Sequence, residues 1–497
     1  MSVLWLLILL PAAAAIACAL TGDALATAIA RATTTVTALL ATLVALSTPL
    51  GASAALPWLP QRGLSFALAL DALAIPGILT VAWLSALACA HGRGQKLGLL
   101  LAAQACALVT WLADDLGTMV AAWSLLPLLA ALMVGRSRQR IFSVFLPLSA
   151  AAAALTTTAL LLALSHHEAT VGTWNFALQE TLSVLSPAPQ EGLIAAFSLL
   201  AAWLMAGIWP LHGWWQSAAE GAPAAFGAWL PAVLRPLGIG LLIRVTLPAA
   251  AASMAAMAST LGIIGGLVLL LGLLAASSEP IAGRRHLHLA HLPTAMALIG
   301  VATFTAEGIG GALLLGLAGG LAFALVHLAG PPRRPFGAVL TTVGLLGLLG
   351  APGLLSFAGI LPIALALLGP GTWMLSGAAA LGLLMLCGVA IGITPLIASA
   401  RELQLEPETP SPRGSVRRRS GLLALTAGLL LLLGLVPSLI QDRVNAAAPP
   451  LVHRATERWC EAELSPLLRA RKAGVKPTEE CARAITTLRA LRGANTP

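Results

Sequence analysis

The chain has 497 residues, of which 58% are hydrophobic and 9% are charged, and its formal net charge is +9. A water-soluble domain cannot bury so large an apolar fraction, so the composition excludes soluble enzymes and predicts an integral membrane protein. The excess of cations does not indicate nucleic-acid binding, because Lys and Arg are spread over loops and the C-terminal tail.

Apolar segments long enough to cross about 30 Å of hydrocarbon recur along the chain, and they predict about fourteen membrane spans. The first segment has no basic residue ahead of it, so we interpret it as a span and not as a signal peptide. Residues 1–438 are thereby predicted to form an all-α, polytopic transmembrane domain. The predicted spans are 3–20, 26–49, 66–90, 97–113, 117–134, 142–164, 192–208, 223–247, 253–276, 287–305, 309–329, 337–365 (interrupted), 372–398 and 420–438.

The positions of the cations predict how the spans are oriented. Basic residues concentrate in the odd-numbered connections, whereas the even-numbered connections carry little beyond Arg62. Since cytoplasmic loops are enriched in Lys and Arg, the odd connections are predicted to be cytoplasmic, and both termini to lie outside an inner membrane. The basic residues of the odd connections are Arg93, Lys96, Arg136, Arg138, Arg140, Arg284, Arg285, Arg333, Arg334, Arg401, Arg413, Arg417, Arg418 and Arg419.

Residues 439–497 form a polar tail that differs in composition from the rest of the chain. The pattern predicts two amphipathic helices, at about 451–472 and 478–492, joined by "AGVKP". In an oxidising compartment outside the cytoplasm, Cys460 and Cys481 could form a disulfide across this hairpin. The alternative is two unpaired thiols.

One segment carries a family resemblance. "PLHGWWQSAAEGAPAAFGAWLPAVLRPLGIGLLIR", residues 210–244, resembles the antiporter-like membrane subunits, which are the proton-translocating subunits of respiratory complex I, membrane hydrogenases and multisubunit cation/proton antiporters. "ALDALA" at Asp71, "LADDLGTMVAAW", "SSEPIAGRRHLHLAH" and "LGAPGLLSFAG" resemble other family segments in the same order. The resemblance covers about residues 65–365.

The resemblance implies a fourteen-helix fold with two inverted repeats of five helices, each containing one discontinuous helix. Broken helices are tolerated in a membrane only where their free backbone groups face protein or a wet cavity. Proline interrupts a helix, so we expect the two breaks at Pro210 and Pro352.

The chain departs from the family at the positions of the buried proton relay. Protons cross a low-dielectric layer by hopping between titratable groups, and the resemblance implies Glu, Lys and His at such positions. Here those positions hold residues that do not titrate in that role. All three Lys residues of the chain, Lys96, Lys472 and Lys476, lie in a loop or in the tail. The lost relay positions are Ser124, Met205, Leu230, Ala322 and Ile360.

Five remaining polar residues are candidates for a relay or a cavity: His212, Glu220, Arg235, Asp71 and His327. Arg235 could be a surrogate cation facing the cavity, or it could pair with an acid such as Glu220. His212 could relay protons or serve as a hydrogen-bonding group at the helix break, and His327 could carry protons or be a core histidine. Asp71 is interpreted as structural.

No motif for soluble enzyme chemistry, metal or cofactor binding is found in the sequence, so we expect no cofactor and no catalytic centre in this chain. His286, His288 and His291 follow the spacing i, i+2, i+5, which does not place all three on one helical face and argues against a metal site.

Two functions are compatible with the sequence. The first is a membrane subunit of a complex I-like or antiporter-like assembly that acts as a scaffold or coupling element with an incomplete proton path. The alternative is an active proton- or cation-translocating subunit of such an NADH:quinone oxidoreductase, hydrogenase or antiporter-type complex. Either function implies the lipid bilayer and other membrane subunits as partners.

Overall fold

A computed structural model describes residues 3–59, 64–135, 139–172, 175–183, 188–329, 335–368 and 414–445. Its elements are mainly helices, with one pair of strands, β1 (Ala52–Leu59) and β2 (Leu64–Leu70). A π-helical turn, Leu242–Thr246, continues α10. The helices are α1 (Val3–Leu20), α2 (Asp23–Ser47), α3 (Ala74–His91), α4 (Leu97–Leu112), α5 (Leu116–Val134), α6 (Gln139–Val171), α7 (Leu178–Ser183), α8 (Ala188–Ala206), α9 (Gly213–Gly221), α10 (Ala224–Leu241), α11 (Leu247–Ala249), α12 (Ala251–Ala256), α13 (Ala258–Ser278), α14 (Ala282–Leu289), α15 (His291–Ala302), α16 (Ala306–Ala329), α17 (Pro335–Leu349), α18 (Leu355–Leu367), α19 (Gly414–Leu435) and α20 (Ser438–Asn445).

Eight of the described helices are long and apolar enough to cross a membrane, and the bent pair α19–α20 would make a ninth. Shorter apolar helices, among them α4 and α18, add to the bundle. Every predicted span except 372–398 overlaps one or two helices, and that span lies outside the described residues. The count of fourteen spans and the inverted relation of two repeats therefore stay predictions.

The helices satisfy their polar groups internally, as an apolar environment requires. Hydroxyl side chains within helices donate back to the carbonyl four residues earlier, as Thr34 does to Ala30 at 2.8 Å and Thr80 to Pro76 at 2.7 Å. Glycines allow close helix packing between α16 and α18. A Cβ at Gly311 would lie 2.4 Å from the carbonyl oxygen of Gly359, so neither helix tolerates a larger residue at this crossing without moving.

The start of the predicted third span is a strand and not a helix. The sequence predicts a span over 66–90, whereas residues 64–70 pair antiparallel with residues 52–59, and α3 begins only at Ala74. The rings of Trp58 and Phe66 stack across the pair at 5.3 Å. Asp71 then starts the helix, because its carboxylate accepts a hydrogen bond from the backbone N–H of Ala74 at 2.8 Å. Apolarity alone did not distinguish these strands from a helix.

The last described helices return to the first part of the chain. The α19–α20 pair bends by 69°. Arg443 of α20 donates to the carbonyl oxygen of Thr48, just after α2, at 3.1 Å. A cation at a helix C-terminus pairs with the unsatisfied carbonyls there. Cys460, Cys481 and the predicted helical hairpin lie outside the described residues.

Candidate functional site

The first helix break separates α8 from α9 and contains Pro210. Gly207 has φ +58°, and a Cβ at this position would lie 1.9 Å from the indole of Trp215, so the turn requires glycine. The peptide bond between Trp209 and Pro210 is cis. Two indole N–H groups donate to backbone carbonyls at the break. Trp215 donates to Met205 and Trp203 to Trp209, both at 3.2 Å. The tryptophans therefore satisfy carbonyls that the interrupted helix leaves free.

Two histidines meet directly beside this break. His212 precedes α9, and His291 is the first residue of α15. Their ring centroids are 5.2 Å apart with the rings at 86°. Both ring nitrogens of His291, and Nδ1 of His212, are buried without a hydrogen-bond partner among the described residues. An unsatisfied buried polar group costs about 1–3 kcal/mol, so these nitrogens mark a site with room for a further hydrogen-bonding group.

A third histidine connects this pair to the end of the helix bundle. The side-chain amide of Gln216 donates to Nδ1 of His288 at 3.1 Å. Nε2 of His288 lies 4.0 Å from a carboxylate oxygen of Glu279. At that distance Glu279 attracts His288 only when the imidazole is protonated.

Arg235, on α10, is as deeply buried as His291. It is 3% exposed, and all three of its guanidinium nitrogens lack a hydrogen-bond partner in the described part of the chain. It interacts electrostatically with His212, His288 and His291. At 1.5 Å per residue it lies about 17 Å along the helix from the start of α10, which is about halfway across the hydrocarbon layer. We name Arg235, His212, His288 and His291 the inner cationic cluster.

Two cavities border the inner cationic cluster. The larger, of about 460 Å³, is lined by Trp209, His212, Gly272, His288 and His291 among others. The smaller, of about 20 Å³, is lined by Arg235, Ala290 and Thr294 together with apolar residues of α10, α15 and α16. The start of α15 thus contributes to both cavities.

A separate polar site lies near the far end of α10. Arg244, in the π-helical turn, pairs with Asp71 at 3.0 Å and donates to the backbone carbonyls of Trp111 and Ala113 at 2.9 and 2.8 Å. The guanidinium of Arg244 thereby connects Asp71, which precedes α3, with the C-terminal end of α4. Asp71 is held in this ion pair and at the start of α3, and its structural role stays a prediction.

The segment of α10 between Arg235 and Arg244 is apolar. The two arginines are about 13 Å apart along the helix axis. Gly240, between them, packs so closely on the ring of Trp111 that a Cβ would lie 2.2 Å from it. Along α10, this apolar segment separates Arg235 from the Arg244–Asp71 pair.

The other two candidate residues do not belong to the inner cationic cluster. Glu220 pairs with Arg284 at 2.8 Å on the surface, so the Arg235–Glu220 pair considered from the sequence is not formed. His327, in the last turn of α16, has its ring centroid 5.4 Å from that of Phe323.

The lost relay positions are occupied by apolar or exposed side chains. Met205, Leu230 and Ala322 are at most 1% exposed. Ser124 is exposed on α5, and Ile360 packs against Gly350. None of them offers a titratable group.

The second helix break separates α17 from α18 and contains Pro352. Gly350 and Gly353 have φ of +76° and +83°. Residues 335–368 contain no Asp, Glu, His, Lys or Arg. The polar side chains of Thr341 and Ser356 are buried there without a partner among the described residues.

The sequence did not identify His288 and His291 as residues of one site. Both line the larger cavity, where α14 ends at Leu289 and α15 begins at His291. Their spacing of three residues was the available signal, because residues i and i+3 lie on one face of a helix. In the described residues, no three metal-binding side chains are arranged to hold a metal ion.

Comparisons with known proteins were made for the whole chain. No protein-family model matches it. It is 27% identical over 462 residues to NAD(P)H-quinone oxidoreductase chain 4 1 of Synechococcus sp. (strain JA-3-3Ab), covering 85% of this chain and 87% of that protein. The similarly named protein of Nostoc sp. (strain PCC 7120 / SAG 25.82 / UTEX 2576) is 26% identical over 441 residues, with 80% of each chain covered.

Two solved structures share the fold. A chain of respiratory complex I from Thermus thermophilus superposes with a TM-score of 0.80 at 21% identity, covering 91% of this chain and all of that one. A chain of the Mrp complex from Dietzia sp. DQ12-45-1b gives 0.73 at 20% identity, covering 99% of this chain and 60% of that one. The comparisons confirm the resemblance and the multi-pass helical membrane fold predicted from the sequence.

Proposed function

The chain is a homologue of the antiporter-like membrane subunits, and on that premise we propose that it is a scaffold or coupling subunit with an incomplete proton path. Its assembly is of the complex I-like or Mrp-type antiporter class, and its partners are other membrane subunits. Orientation follows the charge distribution, with the odd connections cytoplasmic and both termini outside an inner membrane. The tail, 439–497, is a polar hairpin outside the cytoplasm, with Cys460 and Cys481 as its candidate disulfide.

The observation that carries this proposal is the apolar segment of α10 that separates Arg235 from the Arg244–Asp71 pair. In the proposed orientation the inner cationic cluster opens to the cytoplasmic side and ends at Arg235, which does not deprotonate in proteins. Along α10 the residues that follow Arg235 are apolar as far as Arg244, and the second helix break contributes no titratable side chain. We therefore expect that a proton arriving at Arg235 meets no acceptor on the opposite side among the described residues.

One buried imidazole, His291, and two half-buried ones, His212 and His288, also favour the alternative, an active translocating subunit, because they could admit protons from one side. The two functions differ in whether protons leave the cluster on the opposite side. Flux measurements on the isolated full chain decide between them.

The test is pH-driven proton flux into vesicles that contain only the native chain. We expect flux equal to that of empty vesicles. The Met205→Lys variant should also conduct no protons, because Ser124 leaves the new cation without a carboxylate partner in low dielectric. A double variant with Ser124→Glu serves as the matched comparison. Flux through the native chain that a protonophore control shows to be specific would refute the scaffold function.

A further inference from the structure

The buried guanidinium of Arg235 requires a negative charge that the described chain does not supply. Arg235 is 3% exposed, and none of its nitrogens has a hydrogen-bond partner among the described residues. Arginine stays charged in proteins, and an unpaired charge in an apolar interior is strongly unfavourable. The neighbouring imidazoles would add positive charge on protonation and cannot neutralise it.

Among the described residues, no acidic side chain pairs with Arg235. Asp71 pairs with Arg244, Glu220 pairs with Arg284, and Glu279 lies beside His288. Glu191 accepts hydrogen bonds from the backbone N–H groups of Ala252 and Ser253. The predicted span at 372–398 contains no acid. The nineteen acidic residues are Asp23, Asp71, Asp114, Asp115, Glu168, Glu180, Glu191, Glu220, Glu279, Glu307, Glu402, Glu406, Glu408, Asp442, Glu457, Glu461, Glu463, Glu479 and Glu480.

The cavities leave room for a ligand beside the unpaired groups. The cavity at Arg235 has a volume of about 20 Å³, which accommodates one particle of the size of a water molecule. His291 lies between Ala290 and Thr294, which line that cavity, and itself lines the larger one of about 460 Å³. A route for a small solute therefore runs past His212 and His288 to the start of α15.

We infer that Arg235 and His291 bind a small monovalent anion in the interior of the chain. The guanidinium supplies the compensating charge and several N–H donors, and the unpartnered imidazole supplies another. One uncompensated cation matches one negative charge, and the small cavity favours a halide over a bulky acid. A carboxylate of a partner subunit does not fit, because Arg235 is enclosed by its own chain. This inference does not depend on whether protons cross the protein.

The test is equilibrium binding of radiolabelled chloride to the purified full chain in gluconate buffer. We expect saturable binding at one site, and competition by nitrate and bicarbonate distinguishes a halide site from an oxyanion site. Arg235→Met should weaken chloride binding at least about tenfold, since it removes the charged donor. Arg284→Met is the matched control, because Arg284 is an exposed arginine paired with Glu220, and it should bind like the native chain.

His291→Phe provides an independent test of anion binding if Arg235→Met does not fold. It removes one donor while keeping an aromatic ring, so binding should weaken about threefold to tenfold. Size-exclusion chromatography establishes that each variant is folded. Absence of saturable binding of all three anions to the native chain would overturn the inference. Binding by folded Arg235→Met or His291→Phe at native affinity would overturn it as well.

Discussion

The two helix breaks have similar backbones and different surroundings. Each interrupts an apolar helix next to a proline and turns through glycine with positive φ, at Gly207 in the first break and Gly353 in the second. The first is bordered by tryptophan donors and three histidines, whereas residues 335–368 carry no titratable side chain. The comparison teaches that a discontinuous helix can be maintained without titratable side chains, and that its polar chemistry is a separate feature.

The largest loss of folding stability is expected when a methyl group is added at the glycine of the first turn, and the same change at the second turn is its comparison. Gly207→Ala should destabilise the protein by about 3 kcal/mol, because the new Cβ strains the backbone and overlaps Trp215. Gly353→Ala should cost only about 1 kcal/mol, since its Cβ would meet nothing closer than Leu435 at 3.9 Å. Denaturant unfolding of the detergent-solubilised variants measures both. Equal losses would show that the first break is not held by its tryptophan.

A smaller loss of folding stability is expected from removing the indole N–H donor of Trp215 at the first break. Trp215→Phe deletes the hydrogen bond to the carbonyl of Met205 and reduces buried volume, at a cost of about 2 kcal/mol. Phe145, which packs edge-on against Trp215 at 5.5 Å, provides the control. Phe145→Leu changes packing but keeps the donor, so hydrogen exchange at residues 205–212 should rise only in Trp215→Phe. Increased exchange in both variants would mean that packing, not the hydrogen bond, orders this break.

The smallest change in folding stability is expected from a substitution at the second break. Ser356→Ala removes a hydroxyl that is buried without a partner among the described residues, so stability should be unchanged or higher by up to about 1 kcal/mol. Ser198→Ala is the matched control, because Ser198 is fully buried and donates to Ile194 at 2.6 Å. A marked loss in Ser356→Ala would indicate that polar contacts stabilise the second break too. Thermal unfolding midpoints are sufficient for this comparison.

The sequence predicted the features that depend on composition and local pattern. Long apolar runs located the helices because a membrane helix needs a continuous apolar length. The strands at 52–70 were missed because "LSFALAL" is equally apolar in either state and its partner strand comes from a preceding loop. The pairing of these two strands is a contact between separate segments, and a hydropathy pattern along one segment cannot reveal it.

The candidate site was predicted only in part. His212 and Arg235 stood out as polar residues in apolar surroundings, but their neighbours depend on how three separate helices meet. His288 and His291 were missed because the spacing was judged for His286, His288 and His291 together, whereas only the latter two line the larger cavity. Glu220 was a plausible partner for Arg235 by sequence distance, yet its carboxylate reaches Arg284 on the surface.

The contact between Arg443 and the carbonyl of Thr48 also bears on how the protein tolerates cleavage. It joins segments 395 residues apart in sequence, so the last described helix is fastened to the second. We expect that this contact, together with the packing of the helices, helps to keep the two fragments associated after a protease cuts one surface loop.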